Sequence, residues 1–232
     1  MTDFRRRLIV NADDFGRSRG VNRGVAVAHE QGIVTSTSLM VRRPAAEEAV
    51  AYARSHPRLG VGLHVELGEW VYRDGGWEAV DEVPGPVEEE VHRQVATFQR
   101  LVGHEPTHLD SHQHVHRQDD ARAIFANVAL ELGIPLRAHD PRIRFCGDFY
   151  GQTATAEPLP EAITVNALVD LLVALPVGVT ELGCHPGLET DDDLPYGRER
   201  STEVQTLCHP HVRAALETHE IVLCSFADIR LR

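Results

Sequence analysis

The stretch Leu8-Ile9-Val10-Asn11-Ala12-Asp13-Asp14-Phe15-Gly16 decides the fold. Leu8 to Asn11 is too short an apolar run for a helix and reads as a buried strand, closed by two carboxylates and a glycine turn. Gly20 to Gln31 follows with apolar residues at Val21, Val25 and Ala28, a helical spacing. A buried strand, a polar end and then an amphipathic helix make up the first unit of a parallel α/β protein.

The same unit recurs along the chain. Ser36 to Val41 is a strand, and Pro44 opens the helix AAEEAVAYARSH from a position that tolerates a missing N–H. Leu59 to Leu67 (LGVGLHVEL) is a third strand. Gly68 to Pro86 is a turn-rich insertion holding Gly75-Gly76, Trp70 and Trp77, and a helix runs over about Val87 to Val102. Thr107 to Ser111 is a strand, with a helix over about Ala121 to Leu132 and a short strand at Pro135 to His139. Asp140 to Glu161 lacks periodicity and reads as a long functional loop. A helix (Val165 to Leu175), a strand (Val179 to Cys184), a helix (about Glu199 to Glu217) and a strand (Ile221 to Phe226) complete the pattern. Seven strand-like runs alternating with helices fit parallel βαβ units, in a closed or partly closed barrel or in an open doubly wound sheet. No repeat, linker or composition break divides residues 1–232, so one domain is expected.

Composition narrows the function classes. Of 232 residues, 42% are hydrophobic and 25% charged, the balance of a globular protein rather than a disordered one. A formal net charge of -12 disfavours a nucleic-acid partner and attraction to an anionic membrane surface. No apolar run approaches the ~18 residues of a membrane span, and the arginines at Arg5 to Arg7 precede too few apolar residues for a signal peptide. Cys146, Cys184, Cys208 and Cys224 are scattered without a CxxC pair, which points to buried thiols in a reducing, cytoplasmic setting.

Residues with reactive or metal-binding side chains gather where strands end. Asp13 and Asp14 close the first strand, and His64 sits late in the third. Asp110, Ser111 and His112 end the fourth and lead to His114 and His116, while Cys184 and His185 end the sixth. Parallel strands open their C-terminal ends onto one face, so these positions converge in a barrel and, less completely, in an open sheet.

Each motif also has a plainer reading. Asp-Asp-Phe-Gly is ordinary turn chemistry, and His64 alone would be a hydrogen-bonded core histidine. His185 before Pro186-Gly187 is equally suited to acid–base work and to capping. HLDSHQHVH is the strongest signal: His108, His112, His114 and His116 crowd nine residues, and alternation would put the last three on one side if the strand continued. Neutral imidazole is the commonest zinc ligand, and Asp110 is placed to orient one from behind. Asp191-Asp192-Asp193 lacks calcium-loop spacing and reads as a solvated turn.

LIVNADDFG, GIVTSTSLMV, VGLHVEL, THLDSHQHVH and ELGCHPG, in this order and spanning most of the chain, resemble the YdjC/ChbG-like carbohydrate deacetylase family. The resemblance implies a (β/α) barrel, TIM-like but seven-stranded or irregular, a homodimer and a divalent metal ion held by Asp14, His64 and His112. It implies Asp13 as general base and His185 as general acid, acting on an N-acetylated sugar or short oligosaccharide. Asp110, His114 and His116 become orienting or substrate-facing residues, with His116 the reserve ligand. Zinc or magnesium suits such a set, with manganese and cobalt also compatible. The segment between Leu67 and Val87 and the loop RFCGDFYGQ (144–152) depart from the chitooligosaccharide enzymes and bear on substrate choice. A metal-dependent phosphoesterase using Arg17, Arg19, Arg42, Arg43 or Arg137 is one alternative. A sugar-binding barrel without catalysis is another, favoured if Asp13 or His185 faced away from the metal.

Overall fold

A computed structural model describes residues 5–83, 85–188 and 196–229. The aspartate run 191–193 lies outside them. β1 (Arg6–Phe15) is longer than the apolar run, because Phe15 resumes pairing with β2 (Ser36–Leu39) after a register shift that spans the carboxylate pair. α1 (Arg19–Glu30) lies between them, started by Ser18, whose side chain accepts from the Val21 N–H. α2 (Ala46–Ser55) leads to β3 (Gly60–Val65). α3 (Val87–Val102) ends at Gly103 in the left-handed conformation, a standard helix stop.

The insertion after β3 holds a structure of its own. β4 (Gly68–Arg73) and β5 (Gly76–Glu82) pair antiparallel as a hairpin. Asp74 and Gly75, at φ 49° and 86°, form its two-residue turn. Asp-Gly is the favoured sequence for that turn, because its left-handed backbone matches the twist of the strands.

β6 (Leu109–Ser111) stops before the histidines that would have prolonged it. Residues His112–Arg117 form a tight 3-10 segment in which Gln113 and His114 both have positive φ. His112, His114 and His116 therefore point in different directions rather than to one side. After α4 (Asp119–Leu132), the expected strand at 135–139 reduces to one bridge, between Leu136 and Leu109. Ala138, at φ 56°, then turns the chain away. The next strand is β7 (Ile143–Cys146), inside the segment expected to be loop.

α5 (Val165–Val173) and β8 (Gly178–Cys184) match their patterns. The expected helix over 199–217 is two, α6 (Gly197–Leu207) and α7 (Pro210–Thr218). Pro210 lacks the N–H to continue a helix but starts one well. The last strand shortens to β9 (Ile221–Leu223), followed by a turn in which Ser225 and Asp228 cap one another.

The sheet runs β6-β3-β2-β1-β8-β7 with β9 added to β1, all parallel. It is a curled, seven-stranded half-barrel, an irregular (β/α) barrel. Strand alternation sorts its faces. Leu8, Val10 and Ala12 belong to the large core that includes the helices, whereas Ile9 packs with Ile143, Cys224 and Phe226 on the other side. That inner side turns polar above this floor: Asn11, Ser38, His108, Asp110 and Glu181 are all fully buried. Among the described residues no helix is long and apolar enough to cross a membrane.

Candidate metal centre and its cavity

The strand ends enclose a cavity of about 590 Å³. Asp13, Asp14, His64, His112, His114 and His185 all line it. Asp14 sits on the left-handed turn of β1 at φ 66°, which aims its carboxylate across the mouth of the barrel. Its Oδ1 lies 3.5 Å from His64 Nε2 and 3.3 Å from His112 Nδ1. One ligand atom from each of the three lies within 4.8 Å of the others.

The hydrogen bonds around this triad fit a cation. Asp14 Oδ1 is buried and has no hydrogen-bond partner, a costly state unless something positive sits against it. His64 Nδ1 donates to Asp110 Oδ1 at 2.7 Å, which leaves the Nε2 lone pair facing Asp14. His112 Nε2 meets Glu69 Oε1 at 3.2 Å, which leaves its Nδ1 facing the same point. Carboxylates behind both imidazoles thus favour the tautomers that a metal requires.

Electrostatics agree. Burial would lower the pKa of His64, but the surrounding carboxylates, Asp110 above all, overcome it and push the value up to about 10. The pocket favours positive charge at that point. For Asp14, burial acts upward but Arg200 and the two histidines win, holding it well below the usual carboxylate range. Arg200 donates to Asp14 Oδ2, leaving Oδ1 for the triad.

Beneath the triad is a buried ionic lattice. Arg137, whose side chain is fully buried, donates to both oxygens of Asp13 at 2.7 Å and lies 2.7–2.8 Å from Glu181 and Asp110. Asn11 Nδ2 donates to Asp13 Oδ1 and to Ser38 Oγ, and Ser38 Oγ donates to Asp110 Oδ2 at 2.7 Å. Burial raises the pKa of Asp13, yet Arg137 outweighs it and the net shift is downward. A buried charge missing its partner costs several kcal/mol, so this lattice fixes the Asp13 carboxylate rigidly.

His185 leaves β8 with Nε2 3.8 Å from Asp13 Oδ2. Burial, reinforced by Arg200 and Arg137, depresses its pKa to about 4 although Asp13 and Asp14 pull upward. Its position is set by Glu203, which accepts from the His185 backbone N–H, and by the flanking rings of Tyr150 and Tyr196. Asp13 and His185 both line the cavity that holds the triad, which disfavours a purely binding barrel.

The other histidines of HLDSHQHVH separate. His114 lines the cavity with its ring against Phe145. His116 is buried behind, with Nδ1 2.6 Å from Ser111 Oγ, outside the triad. His108 lies inside the barrel, stacked on Phe226. The arginines called on by the phosphoester alternative are paired: Arg17 with Glu69, Arg19 with Glu48, Arg42 with Glu90, Arg43 with Glu66 and Glu69, Arg137 with Asp13.

Glu69, Arg200, Glu203 and Tyr196 belong to none of the motifs that mark the site in the sequence, and Glu181 lies within ELGCHPG. Only Glu181 carried a signal, a carboxylate within an otherwise apolar strand. Glu69 comes from the hairpin, and Arg200 and Glu203 from a helix, where charged residues are unremarkable.

Comparison with known proteins gives the family and the fold. The profile of the YdjC-like protein family matches residues 7–218. The chain belongs to that family. A relative, the chitooligosaccharide deacetylase of Serratia marcescens, is 33% identical over 96% of this chain and 98% of its own length. A solved structure from Enterococcus faecalis, named for cellobiose-phosphate cleavage, superposes with a TM-score of 0.78 at 25% identity, covering 98% of this chain and all of that one. The family 4 carbohydrate esterase of Streptomyces lividans, solved with acetate, shares the fold at a TM-score of 0.57 and 14% identity, covering 94% of this chain and 91% of its own. This YdjC-like chain thus has a distorted (β/α) barrel in common with an esterase of distant sequence.

Proposed function

We propose that this protein is a metal-dependent carbohydrate deacetylase, which hydrolyses the acetamido group of an N-acetylated sugar or short chitooligosaccharide. The observation that carries the reading is the triad Asp14–His64–His112 facing Asp13 and His185 in one cavity. The full-length likeness to a chitooligosaccharide deacetylase supports it.

Asp14, His64 and His112 would hold one divalent ion, zinc or magnesium foremost, with manganese or cobalt also suited to these donors. Three protein ligands are the arrangement of catalytic rather than structural sites, and the ion would supply a Lewis acid that acidifies water and polarises a carbonyl. Asp13, kept ionised and immobile by Arg137 and Asn11, accepts a proton from the attacking water. The water oxygen bonds to the acetyl carbon. Collapse breaks the C–N bond, and His185 delivers a proton to the departing amine, giving free amine and acetic acid, which ionises to acetate in water. His185 is neutral near pH 7, so the proton it gives is the one taken from water, handed over from Asp13 Oδ2 3.8 Å away.

Trp70, Tyr72 and Trp77 of the hairpin line the same cavity, as does Tyr150 on the opposite wall. Aromatic faces suit the apolar faces of pyranose rings, which favours a substrate of two or more sugar units.

The test is acetate release from N-acetylglucosamine and from its N-acetylated di- and trisaccharides by apoprotein reloaded with each metal. Release is expected only with metal, with the oligosaccharides preferred. Asp13→Asn should cut kcat by about 10²–10⁴-fold while binding the ion as before. Acetate release that survives chelation, or an Asp13→Asn enzyme as fast as the native one, would refute the mechanism.

A further inference from the structure

We propose that Glu69 is a positioning residue of the metal centre, and that the β4–β5 hairpin is through it a working part of that centre. The proposal rests on the metal reading of Asp14, His64 and His112.

His112 Nε2 has two neighbours that demand opposite things. Glu69 Oε1, 3.2 Å away, only accepts, so it requires a proton on Nε2 and frees the Nδ1 lone pair toward Asp14. Arg17 Nη1, 3.4 Å away, only donates, so it requires a bare Nε2 and would put the proton on Nδ1. An imidazole protonated at Nδ1 cannot ligate through it. Glu69 is the closer of the two and sets the productive tautomer, as Asp110 does for His64.

The hairpin is built to hold Glu69 there. Its Oε2 accepts from Arg17 at 3.0 Å and from Arg43 at 3.1 Å, and its side chain is only 13% exposed. The ladder shifts register between Glu69 and Trp70, the kind of irregularity that re-aims a side chain. Gln113, next to His112, clamps the strand reciprocally: its Oε1 accepts from the Trp70 N–H at 2.9 Å, and its Nε2 donates to the Trp70 carbonyl at 2.7 Å. The amide therefore ties the hairpin to the turn that carries a ligand. The hairpin also holds both tryptophans of the chain, so tryptophan emission reports on this element alone.

Zinc affinity of the apoprotein, measured by competition with a chromophoric chelator, tests the proposal. Glu69→Ala should weaken zinc binding by about 10–100-fold, the usual cost of losing such a partner, and Glu69→Gln less, because its amide oxygen can still accept. Arg17→Ala should bind zinc as tightly as the native chain or more tightly, because Arg43 still holds Glu69 Oε2, and added to Glu69→Ala should recover part of the loss. Zinc should change tryptophan emission in the native chain and not in Glu69→Ala. If Glu69 served only as an ion-pair partner, Arg17→Ala and Glu69→Ala would weaken binding alike, and that result overturns the proposal. So does native affinity in Glu69→Ala. Should Glu69→Ala fail to fold, Arg17→Ala and Glu69→Gln decide the matter by the same comparison. Native protein that binds no zinc, or an Asp14→Ala variant that binds it as well, refutes the metal reading instead.

Discussion

His108 shows how one residue of a histidine cluster can serve the interior and not the chemistry. Its Nε2 lies 3.0 Å from Ser38 Oγ, which already donates to Asp110, so Nε2 must carry the proton. Nδ1 accepts from Thr107 Oγ1 at 3.0 Å. Both nitrogens are satisfied only in the neutral ring. Burial above all, with Arg137 adding to it against the pull of Asp110, holds its pKa down to about 3. The unfolded chain, near 6.5, therefore binds the extra proton throughout the interval between. Stability tied to His108 is complete above pH 6.5 and falls as the pH drops, by up to about 1.4 kcal/mol per unit. The urea midpoint of the native chain should accordingly fall more between pH 7 and pH 5 than that of His108→Gln. Equal losses would mean that the ring is already charged in the fold.

Among the elements, the contact between α1 and the segment after β8 explains two glycines and one motif. A Cβ on Gly24 would lie 2.3 Å from Gly187 Cα, backbone against helix, with no side chain able to yield. A Cβ on Gly187 would meet the Arg200 side chain at 2.9 Å. The Gly187 N–H donates to the Arg200 carbonyl, and the Leu188 N–H to the Gly20 carbonyl. His185-Pro186-Gly187 is thus pressed between α1 and α6, and that contact seats His185. Alanine in a helix would ordinarily gain about 1 kcal/mol over glycine. Here the overlap is expected to win: Gly24→Ala should lose about 1–3 kcal/mol by denaturant titration and should slow kcat more than it raises KM, because His185 is displaced. A Gly24→Ala enzyme with native stability and turnover would show that the loop has room to move. The hairpin is legible at this scale too, though only in part. Asp74-Gly75 is a turn signature, but its flanks are short and mixed in polarity, so the sequence shows only a turn-rich insertion.

For the molecule as a whole, the triad joins distant parts of the chain: β1, β3 and the turn after β6 each contribute one residue. An ion bound there stabilises the fold by mass action, by about 2.7 kcal/mol when free metal is one hundred times its Kd. In a chain of this length each kcal/mol corresponds to roughly 2–4 °C in Tm. Chelation should therefore lower Tm by about 5–10 °C, with recovery when metal is restored, and Asp14→Ala should show no such response. A Tm indifferent to chelator in the native protein would mean that no ion occupies the triad.

Sequence by itself determined the alternation of strands and helices and the clustering of Asp13, Asp14, His64, His112 and His185 at strand ends. Parallel strands share a direction, so residues at their C-terminal ends must converge whatever the details of closure. It could not determine what stands behind each of those side chains. Arg137 reaches Asp13 because Ala138 turns the chain after a single bridge, where the apolar run 135–139 had suggested a strand. Arg200 reaches Asp14 from a helix, and Glu69 reaches His112 from an inserted hairpin. None of these has a periodicity to betray it, since a charged residue on a helix or hairpin is ordinarily solvated. Only the tertiary structure removes water from them, and burial is what turns an ordinary surface charge into a partner that fixes a proton or a tautomer.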